Sequence, residues 1–260
     1  YPGHIKGVRF FPTFLAKMAI KKTIQDLEKF CQTKFEVVWS FDNSVFYHLD
    51  TFSKETLKIS HIVDLNQNFQ TEKAAKSADI CLGTSTLIVD RLLKFNTNSH
   101  RITHGYNSLN HSVSKIRYPG NAKKKVLYAG NLAMGYLDWE TLDGIVKTNL
   151  DTDFIFIGPG KDKDNQINTT NTSKSVCLNR ENAFCIGKIN ASELNSWYQK
   201  SDALLICYQE KHHEDQSNHH KMMEYLGSGK VVIATNTIEF QVLKSDKLII
   251  MSEKNVDLPE

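Results

Sequence analysis

The chain contains no run of about 18 apolar residues, so no segment of it reads as a bilayer span, and no charged-then-apolar leader pattern reads as a signal peptide. It also lacks a strong excess of either charge. The 32 basic residues face 29 acidic ones, a net charge of +3, and so weak a field argues against a nucleic-acid binder working through a broad basic face. Basic residues gather only locally, at Lys123 to Lys125 and along Lys17 to Lys22. Such runs are either solvated surface or a patch that faces anionic lipid. The cysteines are odd in number and scattered (Cys31, Cys81, Cys177, Cys185 and Cys207), with no CxxC pair to hold a metal. Cys81 and Cys207 sit in apolar runs, the pattern of reduced, buried thiols in a cytoplasmic protein. The Asn-x-Ser/Thr triplets at Asn110, Asn168, Asn171 and Asn190 are inert in that compartment. The sequence does not begin with Met, so an N-terminal piece is expected to be absent from it.

What is present is alternation. The 260 residues suffice for one large or two medium domains. Residues 13–32 place Phe14, Leu15, Met18, Ile20, Ile24, Leu27, Phe30 and Cys31 at helical spacings. Strands are expected at Phe35 to Trp39, short and buried, and at Leu57 to Val63 and Ala78 to Leu82; a helix capped by Thr84 or Ser85 should follow, then a strand beginning at Arg101 to His104. A linker from about Tyr106 to Lys124, with Pro119-Gly120, separates two halves. Beyond it come strands at Val126 to Ala129, Phe154 to Ile157, Phe184 to Gly187, Ala203 to Cys207, Val231 to Ala234 and Lys247 to Met251. Helices are expected at Leu137 to Lys147 and at Ala191 to Lys200, the latter capped by Asn190 or Ser192, and a patternless polar loop from Lys161 to Asn182. Continuous apolar strands alternating with helices imply α/β architecture, with parallel sheets covered on both faces. Ala203 to Cys207 and Val231 to Ala234 are therefore expected as interior strands. Ligands of such sheets bind beyond the carboxyl ends of the strands, which is where Gly130, Gly158, Gly160 and Gly187 fall.

Residues 216–235, QSNHHKMMEYLGSGKVVIAT, read as a polar loop, a short helix carrying Lys221 and Glu224, a Gly-Ser-Gly turn and a buried strand. Spacings of three place Lys221, Glu224 and Gly227 on one helical face, so a cation and a carboxylate point the same way. The helix start offers free N–H groups and a positive dipole end to phosphate. An ordinary surface helix with a solvated Lys/Glu pair is the competing reading. His212, His213, His219 and His220 flank acidic residues, but adjacent pairs in an extended loop point apart, so no metal is expected there.

The stretch resembles the donor-site segment of GT-B glycosyltransferases of the group 1, family 4-like class, in the branch with Lys-x-x-Glu-Tyr-Leu before Gly-Lys. Further resemblances are SADICLGTS at 77–85, ITHGYN at 102–107, YAGN, FIFIGPG and FCIGKINASELNSWYQKSDALLI. They cover about residues 58–251 and are densest after Lys125. The resemblance implies two Rossmann-like domains with parallel sheets and an interdomain cleft. An incomplete acceptor-side N-terminal domain would occupy residues 1–108 and a donor-binding domain residues 109–260.

By the same resemblance Glu224 holds the ribose hydroxyls of a nucleotide-sugar, the amides from His219 to Lys221 cradle its diphosphate, Gly130 and Gly158 approach the phosphates, and the Lys188 and Ile189 backbone meets the base. Gln216 stands where many retaining members carry Glu. His61 and Asp64 are candidates to position or deprotonate an acceptor hydroxyl, against a local hydrogen bond at a strand end. His104 replaces the usual Asn before Gly. The implied activity is metal-independent sugar transfer, with retention, from a UDP- or GDP-sugar to a glycan or lipid-linked acceptor in cell-surface polysaccharide synthesis. Lys221 serves the leaving diphosphate, no cofactor is required, nucleic acid is not a partner, and the cytoplasm or the inner membrane face is the place. The alternatives are a nucleotide-sugar 2-epimerase and a non-catalytic nucleotide-sugar-binding scaffold.

Overall fold

The computed structural model describes residues 10–41, 46–106, 116–160, 172–213, 220–244 and 249–258. It divides the chain after Thr103 into two compact units. The boundary expected at 108 lies in the undescribed stretch 107–115.

The first unit runs α1 (Thr13–Cys31), β1 (Val37–Ser40), β2 (Leu57–Ile62), α2 (Thr71–Ser77), β3 (Ile80–Gly83), α3 (Thr86–Leu93) and β4 (Ser99–Arg101). Its strands lie side by side in sequence order and are all parallel. α3 starts where expected because the Ser85 hydroxyl accepts the Ile88 N–H at 3.3 Å.

Three expectations for this unit need correction. α1 is a helix, but it buries Ala16, Ala19, Ile20, Thr23 and Ile24, a stripe whose alanines let it approach Tyr47, Leu49 and Phe52 closely. Phe14, Met18 and Phe30 fall on the other side and are 64%, 65% and 73% exposed. β1 is not a buried strand. It is the edge of its sheet, and although Ser40 is buried and Val38 packs beside the α1 cluster, Val37 and Trp39 face outward. β4 comes earlier than expected, because Ser99 to Arg101 pair with Cys81 to Gly83.

The second unit runs β5 (Lys124–Ala129), α4 (Trp139–Thr148), β6 (Thr152–Ile157), α5 (Thr172–Leu178), β7 (Ala183–Gly187), α6 (Ala191–Lys200), β8 (Ala203–Ile206), α7 (His220–Gly227), β9 (Val231–Thr235) and β10 (Ile249–Ser252). All its described strand pairs are parallel, in the order β10-β9-β8-β5-β6-β7, the order of a doubly wound dinucleotide fold. β8 and β9 are interior strands as their apolar runs required, and every side chain of β6 and β8 is buried. Asp138 caps α4 by accepting the Thr141 N–H at 3.0 Å. Asn190 precedes α6 without any side-chain capping bond. The polar stretch expected as loop contains α5, whose Cys177 and Leu178 join the main core while the helix packs on α4. Tertiary burial made this helix where local periodicity shows none.

The chain order locates a ligand site before any side chain is considered. From β5 the chain winds outward through β6 to β7, then returns across β5 to β8 and winds the other way. Right-handed crossovers put the two sets of helices on opposite faces. The loops after β5 and β8 therefore diverge, and the crevice beyond those two strands is the switch point where open α/β sheets bind ligands.

The strand ends beneath that crevice are closely packed backbone. The N–H of Gly130 donates to the Ile157 carbonyl at 2.8 Å, and that of Gly158 to the Gly187 carbonyl at 2.9 Å. Gly158 has φ +144°, and a Cβ there would collide with the Gly130 carbonyl. Gly158→Ala is expected to cost more than about 2 kcal/mol in urea unfolding, through combined backbone strain and collision. A loss below about 0.5 kcal/mol would show that the strand ends can part.

Candidate functional site

Four of the expected residues, Gly130, Lys221, Glu224 and His220, come together at the switch point. Lys221, in the first turn of α7, sends its ammonium across to β5. There it lies 4.1 Å from the Tyr128 ring centre, 3.0 Å from the Tyr128 hydroxyl and 3.4 Å from the Tyr208 hydroxyl. A side chain at Gly130 would collide with this ammonium, so glycine there lets Lys221 and the strand end touch. One turn further along α7, Glu224 accepts the Tyr198 hydroxyl at 3.2 Å on Oε2 and lies 3.4 Å from the Nδ1 of His220 on Oε1. α7 itself is pinned from below: the Tyr225 hydroxyl oxygen accepts the Ala129 N–H at 2.8 Å, and Met222 and Tyr225 are wholly buried. The core side of the helix thus carries the packing and leaves Lys221 and Glu224 half-buried at the crevice.

The electrostatics follow from this placement. Among the described residues Lys221 has no carboxylate at salt-bridge distance, and burial pulls its ammonium down to about 7, with the Glu224 charge pulling weakly back. Burial pushes the phenols of Tyr128 and Tyr208 well up, so both stay neutral hydrogen-bonding partners. A desolvated ammonium held by neutral groups is poised for an anion. Cation–π contact and two phenol oxygens hold it meanwhile.

The other expected residues are placed as follows. The N–H groups of Gly130 and Gly158 are committed to carbonyls, so these glycines offer close approach rather than donors. Lys188 and Ile189 follow the outer strand β7; Lys188 is exposed, and Ile189 packs against the main core. His220 opens α7, more than half exposed, with the His104 ring edge-on to it at 5.6 Å. Gln216 and His219 lie outside the described residues. His61 and Asp64 belong to the first unit. His61 is buried, its Nδ1 accepting the Trp39 indole N–H at 3.3 Å beside the Phe41 ring. Asp64 is exposed just after β2, its N–H directed at the Gln67 amide oxygen. Of the loop histidines, His213 is buried against the Tyr208 carbonyl at 3.2 Å. The described residues contain no group of three or more His, Cys, Asp or Glu arranged for a metal ion.

Sequence reasoning missed Tyr128, Tyr208 and Tyr198. The first two lie at or just past the ends of apolar strands, and this is the only signal they give: an aromatic hydroxyl there points towards the crevice. Asn255 was missed as well. It is buried, and its amide bonds Asp138 Oδ2 at 2.5 Å and the Tyr208 carbonyl at 2.8 Å, tying the loop after β8 to the end of the chain.

Lys221 gives a pH test. Its folded value near 7 lies below the ordinary 10.5, so between those limits the unfolded chain holds the extra proton and the contribution of this group to stability rises with pH. The unfolding free energy of wild type minus that of Lys221→Met should climb between pH 7 and about pH 9.5, by at most about 1.4 kcal/mol per pH unit. A difference independent of pH would mean that the ammonium is not desolvated.

Sequence comparison finds neither a matching family model nor a matching curated protein. Solved structures do match. The Anabaena protein HepE, solved in complex with UDP, aligns over 93% of this chain and 70% of its own with a TM-score of 0.66 and 11% identity. A glycosyltransferase from Rickettsia africae aligns over 95% and 70% with a TM-score of 0.65 and 14% identity. A protein provisionally named UDP-N-acetylglucosamine 2-epimerase, from Listeria monocytogenes, aligns over 98% and 71% with a TM-score of 0.51 and 12% identity. At such identities the likeness is one of fold.

Proposed function

We propose that this chain, which has the GT-B fold, is a glycosyltransferase that takes a sugar from a UDP- or GDP-sugar and passes it to a glycan or lipid-linked acceptor. The observation carrying this reading is the pairing at the switch point of a desolvated ammonium with a carboxylate one helical turn away. The first suits a diphosphate and the second the ribose hydroxyls attached to it. HepE with UDP supports the choice of ligand class.

In this mechanism the bond between sugar and diphosphate breaks while negative charge grows on the leaving phosphate. Lys221, with the amides at the start of α7, stabilises that charge where water is scarce, the contribution expected to dominate. No metal is required for this step, and retention at the anomeric carbon is the stereochemistry we favour. His61 or Asp64 would serve the acceptor hydroxyl. We place the activity in cell-surface polysaccharide synthesis, in the cytoplasm. No helix among the described residues is long and apolar enough to cross a membrane. The outward Phe14 and Met18 of α1 beside Lys17, Lys21 and Lys22 suit contact with the inner membrane face. The 2-epimerase reading shares the fold; product analysis separates the two, since an epimerase returns a nucleotide-sugar where a transferase releases the nucleoside diphosphate.

The test is calorimetric titration with UDP, GDP and the bare nucleosides. Glu224→Ala should weaken nucleotide and nucleoside alike by about ten- to a hundredfold, the loss of a charge-assisted hydrogen-bond pair worth roughly 1.5–3 kcal/mol. Lys221→Ala should weaken the diphosphates far more than the nucleosides. Wild-type affinity in Glu224→Ala, or a wild type that binds none of these ligands, would refute the donor site.

A further inference from the structure

The donor reading makes Glu224 a ribose ligand but does not say what orients it. A free glutamate turns about its terminal bond, so one that recognises hydroxyl groups needs a fixed partner on the oxygen it does not offer. The structure supplies one. Tyr198 is 4% exposed on α6, its ring edge-to-face with Tyr225 at 5.3 Å and 75°. Tyr225 is in turn anchored by its bond from the Ala129 N–H. Among the described residues the Tyr198 hydroxyl has one hydrogen-bond partner, Glu224 Oε2, at 3.2 Å. The opposite oxygen, Oε1, faces His220, whose side chain is 57% exposed.

We propose that Tyr198 is the positioning residue of the ribose subsite: its buried hydroxyl clamps Oε2, and Oε1 is thereby presented to the ribose as the His220 ring gives way. This rests on the donor reading above. The asymmetry between the two partners carries the argument. The tyrosine cannot move without breaking its contact with Tyr225 in the core, whereas the histidine lies at the surface. Burial and the neighbouring Glu224 charge both push the Tyr198 phenol far up, so it remains a donor at any working pH.

The experiment measures discrimination between UDP and 2′,3′-dideoxy-UDP, with GDP and its dideoxy form run in parallel, by calorimetry on wild type, Tyr198→Phe, Glu224→Ala and the double variant. The wild type should prefer the hydroxylated ligand by tenfold or more. Tyr198→Phe keeps the ring and its packing, so melting should shift little. It should lose about three- to tenfold in affinity for UDP while dideoxy-UDP binds unchanged. The double variant should bind no worse than Glu224→Ala, since the hydroxyl acts only through that carboxylate. If Tyr198→Phe does not fold, Tyr198→Leu carries the same two readouts. An unchanged UDP preference in the Tyr198 variant, or an equal loss for both ligands, would overturn the positioning role. A wild type that binds UDP and GDP no better than their dideoxy forms would instead overturn the assignment of Glu224 to ribose.

Discussion

The contact between the Lys221 ammonium and the β5 strand end is the constraint on which the second unit is arranged. Moving an ammonium out of water is costly, and no carboxylate among the described residues repays that cost directly. Glycine at 130 is needed because a Cβ would occupy the same space, glycine at 158 because the next strand end presses on the Gly130 carbonyl. Tyr128 and Tyr208 are needed because something neutral must hold the ammonium while the crevice is empty. Each requirement lowers stability or narrows sequence choice, the kind of local conflict expected where binding has been favoured over packing.

The remaining polar side chains divide by burial. Tyr198 and Tyr225 couple α6 and α7 to β5 from within the core, and Asn255 and His213 brace the loop that carries Tyr208. His220 is exposed and His104 partly buried. Buried partners thus hold the core side of α7, and the exposed His220 lies at its first turn.

The first unit shows the opposite economy. Its four described strands are parallel and run in simple order, and its outward residues Val37, Trp39, Phe14 and Met18 are large and apolar. His61 sits among aromatic rings instead of opening to solvent. Its Nδ1 is held by the Trp39 indole N–H.

Much of this was legible from the residues in order. The alternation of apolar strands and helices, the cap at Ser85, the interior position of β8 and β9 and the shared face of Lys221 and Glu224 all follow from local periodicity and residue chemistry, which the chain carries without help from distant partners. Tertiary structure decided the rest, because the deciding neighbours are far apart in sequence. α5 exists because α4 and the core bury Cys177 and Leu178, although its own pattern is polar. Whether the large or the small residues of α1 turn inward depends on what Tyr47 and Phe52 leave room for. Lys221 became a desolvated cation through Tyr128, 93 positions earlier, and Glu224 an oriented carboxylate through Tyr198, 26 positions earlier. Spacing along one helix shows which way a side chain points, but its charge state and orientation come from the groups the fold sets against it.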